Sequence, residues 1–136
     1  MILEHINDIA AICAGHGIQT AVISPGSRSA ALTLAFARHP ELETKVIPDE
    51  RAAAFVALGI AQQQQKPVAL ICTSGSAALN YAPAIAEAYF QEIPLSWPAK
   101  GGPSGSWILK MTAHGLYRMH KSRLVILNKV SWAKPP

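Results

Sequence analysis

The stretch that decides the fold is Pro67-Val-Ala-Leu-Ile-Cys-Thr-Ser-Gly-Ser76. Its residues from Pro67 to Cys72 are apolar throughout, which is typical of a strand buried on both faces of a parallel sheet. The small polar residues Thr73 to Ser76 end this run, and an alanine-rich segment that favours a helix follows. The sequence therefore predicts a buried strand that passes through a polar turn into a helix.

Upstream of this stretch, strand and helix patterns alternate in the same way. Short β-branched runs predict strands, and apolar residues at helical spacing predict helices. The predicted elements are a helix over 2–14, a strand over 20–23, a helix over 29–38, a strand over 43–47, a helix over 51–63, a strand over 67–72, a helix over 77–89 and the start of a strand at 93–95. This order predicts an α/β fold, a parallel sheet with helices on both faces.

Composition narrows the class of protein. The chain has 136 residues, half of them apolar, which is about the length of one domain. No apolar run reaches the ~20 residues of a membrane span, and the start of the chain lacks the basic region of a signal peptide. Cys13 and Cys72 have no metal-ligand spacing, so we interpret them as buried free thiols of a cytoplasmic protein.

Charge divides the chain near residue 95. Residues 1–95 carry five basic and eight acidic residues, whereas residues 96–136 carry seven basic residues, no acidic residue and all three tryptophans. Such a tail could be an arm that binds nucleic acid. We favour a tail not evolved for this fold, such as an out-of-frame or truncated product, and predict that it is poorly ordered. Within it, residues 108–119 suggest a weak amphipathic helix and residues 124–127 a strand.

Polar segments follow all three of the predicted strands. They are Ser24-Pro-Gly-Ser-Arg-Ser29, Asp49-Glu-Arg51 and Thr73-Ser-Gly-Ser76. Because ligands bind at the carboxyl ends of the strands in open α/β sheets, these segments mark the candidate site. In the first, Ser27 and Arg28 suit a carboxylate or a phosphate, although an ordinary capped helix start explains them equally well. The third lacks the lysine of a P-loop, so it is either a helix cap or a polar cradle.

The acidic pair Asp49 and Glu50 is the most informative of these features. It follows a strand that we expect to be largely buried, where a carboxylate is costly unless it is paired or used. Asp49 can cap the next helix. Glu50 then either forms a structural ion pair, for instance with Arg51, or has a functional role.

Together, five segments resemble a known family. They are Val22–Ser29, Pro48–Ala52, Ala57–Ala61, Pro67–Ser76 and Asn80–Ala84. In order and spacing they resemble the amino-terminal, pyrimidine-binding domain of the 2-succinyl-5-enolpyruvyl-6-hydroxy-3-cyclohexene-1-carboxylate synthases, which are thiamine-diphosphate enzymes of menaquinone biosynthesis. The resemblance covers roughly residues 1–95, and residues 96–136 form a basic tail unlike the family.

The resemblance implies a cofactor and a reaction. Glu50 would be the catalytic residue, because the family's glutamate hydrogen-bonds N1′ of the aminopyrimidine ring and so activates the cofactor. A transferase of this kind decarboxylates 2-oxoglutarate and adds the resulting carbanion to isochorismate, and Ser27 and Arg28 would bind these carboxylates. The residues that would bind the cofactor are Glu50, Thr73, Ser74 and Gly75.

The resemblance also implies partners. Mg²⁺ or Mn²⁺ would be held by a pyrophosphate-binding domain, supplied either by another copy in a homodimer or tetramer or by a complementary chain. No metal ligand is therefore expected among residues 1–95, and this chain alone is expected to be inactive. A different hypothesis is a non-catalytic α/β module that binds an anionic metabolite at residues 26–29. Nucleic-acid binding by the tail is not favoured.

Overall fold

The computed structural model describes residues 2–101, 106–111, 115–120 and 123–127. The helices are α1 (Ile2–Gly15), α2 (Ala30–Arg38), α3 (Glu50–Gln64), α4 (Ser76–Leu79) and α5 (Ala82–Phe90). The strands are β1 (Thr20–Ile23), β2 (Glu43–Val46), β3 (Val68–Ile71), β4 (Leu95–Gly101), β5 (Ser106–Met111), β6 (Gly115–His120) and β7 (Arg123–Leu127). A short 3₁₀ turn, Ser27–Ser29, leads into α2.

The described strands form one sheet in the order β2-β1-β3-β4-β5-β6-β7. Its first four strands pair in parallel, as predicted, and the last three add as an antiparallel meander. In the register, Ile23 at the end of β1 lies opposite Val46 of β2 and Ile71 of β3. The carboxyl ends of these strands are therefore level, and their loops leave from the same edge.

Helices cover both faces of the parallel part, which confirms the predicted α/β architecture. Side chains alternate along β1, so that Ala21 and Ile23 pack with α1 and α2 on one face while Val22 packs with α3 on the other. β1 and β3 are buried throughout, as the apolar run of residues 67–72 predicted. The α1 pattern is also confirmed, because its apolar positions from Ile6 to Cys13 lie in the core.

Two features differ from the sequence-based prediction. The single helix expected over 77–89 is wrong, because it is divided into α4 and α5. Pro83 lies in the first turn of α5, where its missing N–H costs nothing, and so it favours a new helix start. The expectation that residues 43–47 are largely buried is also wrong. β2 pairs only with β1 among the described residues, and its outer edge leaves Val46 61% exposed.

The tail is described in part. The weak helix expected over 108–119 is wrong, because the described residues of that stretch pair in antiparallel strands β5 and β6. The strand over 124–127 is confirmed as part of β7. Residues 102–105, 112–114, 121–122 and 128–136 lie outside the described residues, so the prediction of a poorly ordered tail stays a prediction. None of the described helices is long and apolar enough to cross a membrane.

Candidate functional site

The first and third polar segments contact each other. A Cβ atom added at Gly26 would lie 2.8 Å from the Thr73 Cβ atom, closer than two carbons can approach. The backbone of Gly26 is extended, with φ −153°, so glycine is needed here for space and not for backbone freedom. Gly75, by contrast, has φ +95°, in the left-handed region that favours glycine. Two glycines thus shape this edge for two different reasons.

Arg28 ties the same two loops together. Its Nε donates to the Ser74 hydroxyl at 3.1 Å, and its Nη2 donates to the Ser74 carbonyl oxygen at 3.0 Å. The side chain is exposed, and the remaining N–H donors of the guanidinium face outward for another partner. The structure therefore joins a residue predicted to bind substrate to one predicted to bind cofactor. Sequence alone gives no sign of this contact, since the two residues are far apart along the chain.

The start of α2 is not capped by a side chain. Ser29 stands at the N-cap position, but its hydroxyl donates to the Gly26 carbonyl oxygen at 3.0 Å instead of accepting from the helix. Ser27 is exposed in the 3₁₀ turn beside Arg28. The interpretation of this loop as an ordinary helix start capped by Ser29 is therefore wrong.

A shallow depression lies next to this loop. Its volume is about 470 Å³, and it is lined by Pro25, Gly26, Ser27, Ala30, Thr33 and Leu34. Most of these side chains are apolar, so the depression offers little to a charged ligand. The polar groups of the candidate site lie on the other side of Gly26, toward Thr73.

The second segment separates its two acids. Asp49 caps α3 as predicted, because its Oδ1 accepts from the backbone N–H of Ala52 at 2.7 Å. Glu50 is the first residue of α3 and is partly buried. In the region that the structure describes, it forms no salt bridge, so the ion pair with Arg51 that the sequence left open is absent. Its carboxylate instead interacts electrostatically with Cys72 and Tyr81.

Tyr81, which sequence reasoning missed, lies beneath all three segments. Its side chain is fully buried between α4 and α5, and its hydroxyl forms hydrogen bonds with Cys72 and Ser24. The Ser24 hydroxyl donates to the carbonyl oxygen of Ile47 at 2.9 Å. Burial raises the pKa of Tyr81 and of Cys72, and the Glu50 carboxylate raises both further. An aromatic residue just before Pro83, in an alanine-rich segment, was the signal that could have found it.

Thr73 carries a polar atom that awaits a partner. Its hydroxyl oxygen is buried and has no hydrogen-bond partner among the described residues. Both cysteines are buried and free, as predicted. Among the described residues, no group of three or more His, Cys, Asp or Glu side chains is arranged to hold a metal ion.

The comparisons with known proteins agree on one family. Residues 5–97, which include all three polar segments, match the family described as "Thiamine pyrophosphate enzyme, N-terminal TPP binding domain". A 2-succinyl-5-enolpyruvyl-6-hydroxy-3-cyclohexene-1-carboxylate synthase from Cytophaga hutchinsonii is 59% identical over 93 residues, which are 68% of this chain and 17% of that relative. The synthase of the same name from Flavobacterium johnsoniae is 60% identical over 87 residues, or 64% of this chain and 16% of the relative.

A solved structure supports the fold. Benzoylformate decarboxylase from Polynucleobacter necessarius superposes with a TM-score of 0.58 at 22% sequence identity, over 66% of this chain and 17% of that one. At this identity the likeness shows the fold alone. The chain spans about a sixth of the length of the curated relatives that it matches.

Proposed function

The chain belongs to the family of thiamine pyrophosphate enzyme N-terminal binding domains, and it is related to those of the 2-succinyl-5-enolpyruvyl-6-hydroxy-3-cyclohexene-1-carboxylate synthases; on this basis we propose that it supplies the pyrimidine-binding half of such a synthase's active site. The observation that carries this proposal is the edge where three polar loops meet around Glu50. Its carboxylate has no salt bridge within the described residues and faces two neutral groups, so it is available to a ligand.

Glu50 is the proposed catalytic residue. The bound cofactor would supply the chemistry that decarboxylates a 2-oxo acid and prepares a new carbon–carbon bond. The part of this chain is to hold a proton at the Glu50 carboxyl group, in hydrogen-bond contact with a ring nitrogen of the pyrimidine. Its position at the first turn of α3 favours the ionised form, because the helix N-terminus attracts negative charge.

The third loop fits the pyrimidine ring. The buried Thr73 hydroxyl without a partner can hydrogen-bond a polar ring atom, which would remove the cost of its burial. Ser74 is held by Arg28, and Gly75 adopts a turn that brings backbone rather than side chain to the surface. Thr73, Ser74 and Gly75 therefore form the proposed cofactor cradle.

Ser27 and Arg28 are proposed to bind the substrate carboxylates. Both are exposed at the same edge, and the guanidinium has donors left after its two bonds to Ser74. A carboxylate of 2-oxoglutarate or isochorismate could accept from these donors in a charge-assisted pair. Arg28 would then contact cofactor loop and substrate together.

The remaining half of the site is proposed to come from elsewhere. A pyrophosphate-binding domain would hold the diphosphate and Mg²⁺ or Mn²⁺, either in another copy of a homodimer or tetramer or in a complementary chain. Residues 1–95 would form the working domain and residues 96–136 a separate basic tail, in a cytoplasmic protein that is inactive as this chain alone. A non-catalytic module for an anionic metabolite is the alternative, and binding of 2-oxoglutarate in the absence of thiamine diphosphate would favour it.

The test is a Glu50→Gln substitution in a full-length synthase whose corresponding segment is replaced by residues 1–95 of this chain. Turnover should fall by about a hundredfold or more, the range lost with a general acid–base group. Glu41→Gln is the matched control, because Glu41 is exposed and lies away from the three loops. Near-normal turnover of the Glu50→Gln protein would remove the proposed role.

A further inference from the structure

A chain of polar groups crosses the ends of three strands. The Tyr81 hydroxyl bonds with Cys72, which follows β3, and with Ser24, which follows β1. The Ser24 hydroxyl in turn bonds with the carbonyl oxygen of Ile47, which follows β2, at 2.9 Å. One tyrosine side chain therefore connects the residues from which all three loops of the site depart.

The inventory of protons orders this chain. Ser24 has one hydroxyl proton, and it is donated to Ile47, so the Ser24 oxygen is left to accept from Tyr81. Ser24 is also held by its backbone, because its N–H donates to Ile71 at 2.7 Å. The N–H of Ile47 donates to Ile23 at 3.0 Å. The side-chain bonds thus continue the parallel ladder at the point where its backbone bonds end.

Packing alone does not account for a tyrosine at this position. Tyr81 is fully buried in a cluster made of alanine and aliphatic side chains, where phenylalanine would fill nearly the same volume. A buried hydroxyl is costly unless it is hydrogen-bonded, and here it is bonded only to groups at the strand ends. The hydroxyl is therefore an investment in the geometry of those ends.

The hydroxyl also stays uncharged beside Glu50. Burial raises the pKa of Tyr81 and of Cys72, and the nearby Glu50 carboxylate raises them further. Both groups therefore keep their protons at neutral pH. They can hold the loops without placing a second negative charge next to the carboxylate.

We propose that Tyr81 is a positioning residue, whose buried hydroxyl locks the ends of β1, β2 and β3 together and so sets Glu50 against the cofactor loop. The inference rests on the proposed function for its catalytic consequence. The lock itself is a property of this chain without any ligand, and the two parts are tested separately.

The first test measures backbone hydrogen exchange in the 136-residue chain without cofactor. Tyr81→Phe removes only the hydroxyl, and exchange at the amides of Ser24 and Ile47 should become about tenfold faster, as expected for the loss of one hydrogen bond. Tyr89→Phe is the matched control, because Tyr89 lies on the same α5 segment and is 50% exposed. Equal exchange at these two amides in both variants would overturn the lock.

The second test uses the full-length synthase carrying residues 1–95. Tyr81→Phe should lower kcat about three- to tenfold while the KM values of both carboxylate substrates stay unchanged, because Ser27 and Arg28 remain. Ser24→Ala should act similarly, and the double variant should lose less than the product of the two single losses. A Tyr81→Phe enzyme with the kcat of Tyr89→Phe would overturn the positioning role. Should Glu50→Gln stay active, the proposed function fails, while the exchange result still decides the lock.

Discussion

The two faces of the parallel sheet are built from different materials. The α1–α2 face, the cluster between the sheet and helices α1 and α2, contains large side chains such as Ile6, Ile9, Leu32 and Phe36. The α3–α5 face, the cluster on the opposite side, is lined by alanines: Ala53, Ala54, Ala57, Ala61, Ala84 and Ala88. Tyr81 and Cys72 also belong to the α3–α5 face.

This difference separates stability from the arrangement of the site. Large side chains bury much apolar area each, so the α1–α2 face contributes strongly to the free energy of folding. Alanines bury little area, but they let a helix approach the sheet closely and leave the strand ends accessible from below. We therefore expect truncations to be costly on the α1–α2 face and enlargements to be costly on the α3–α5 face.

Phe36→Ala should have the largest effect on stability. Phe36 is fully buried in the α1–α2 face, and its truncation should lower the free energy of unfolding by about 3–5 kcal/mol. Urea denaturation of the 136-residue chain measures the change. Phe90→Ala is the control, because Phe90 is 81% exposed and should cost little. Equal losses in the two variants would contradict the assignment of stability to the α1–α2 face.

Ala57→Leu probes the opposite face. Ala57 is fully buried on α3, and a larger side chain there must displace the helix, at a cost of about 1–3 kcal/mol. Ala52→Leu, at an exposed position of the same helix, should leave the urea midpoint nearly unchanged. A stabilised Ala57→Leu chain would show that the face has room to spare, and the contrast between the faces would lose its basis.

Cys13 allows a smaller test by pH. Burial on the α1–α2 face raises the pKa of Cys13 from its ordinary value of 9.0 to about 12. Above pH 9 the unfolded chain loses this proton while the folded chain keeps it, so the folded state binds more protons and stability falls as the pH rises. The stability difference between the native chain and Cys13→Ala should therefore shrink by about 1–2 kcal/mol between pH 7 and pH 10. A difference independent of pH would show that the thiol is not shielded.

The parallel fold could be predicted from sequence because its signals are local. The bounds of β1 were predicted without error, since Gly17 and Pro25-Gly26 delimit a β-branched run. The capping role of Asp49 was predicted from its position before a helix. The exposed edge of β2 was missed, because the order of strands depends on long-range pairing that residue patterns do not encode.

The composition of the site was easier to predict than its connections. Residue types after each strand indicated Glu50, Arg28 and Thr73, and the parallel register explains why their loops share an edge. The bonds from Arg28 to Ser74 and from Tyr81 to the strand ends join distant parts of the chain. Such contacts follow from tertiary packing, and a single sequence carries no periodic signal for them.

The close approach of Gly26 to Thr73 has a consequence for heredity. A descendant that acquires any side chain at position 26 must also acquire a smaller residue at position 73, because the two Cβ atoms would otherwise be 2.8 Å apart. Neither change is useful by itself, since the first creates a clash and the second removes the Thr73 hydroxyl from the site. The two positions should therefore be inherited as a pair, and a lineage that has lost one will have lost the other.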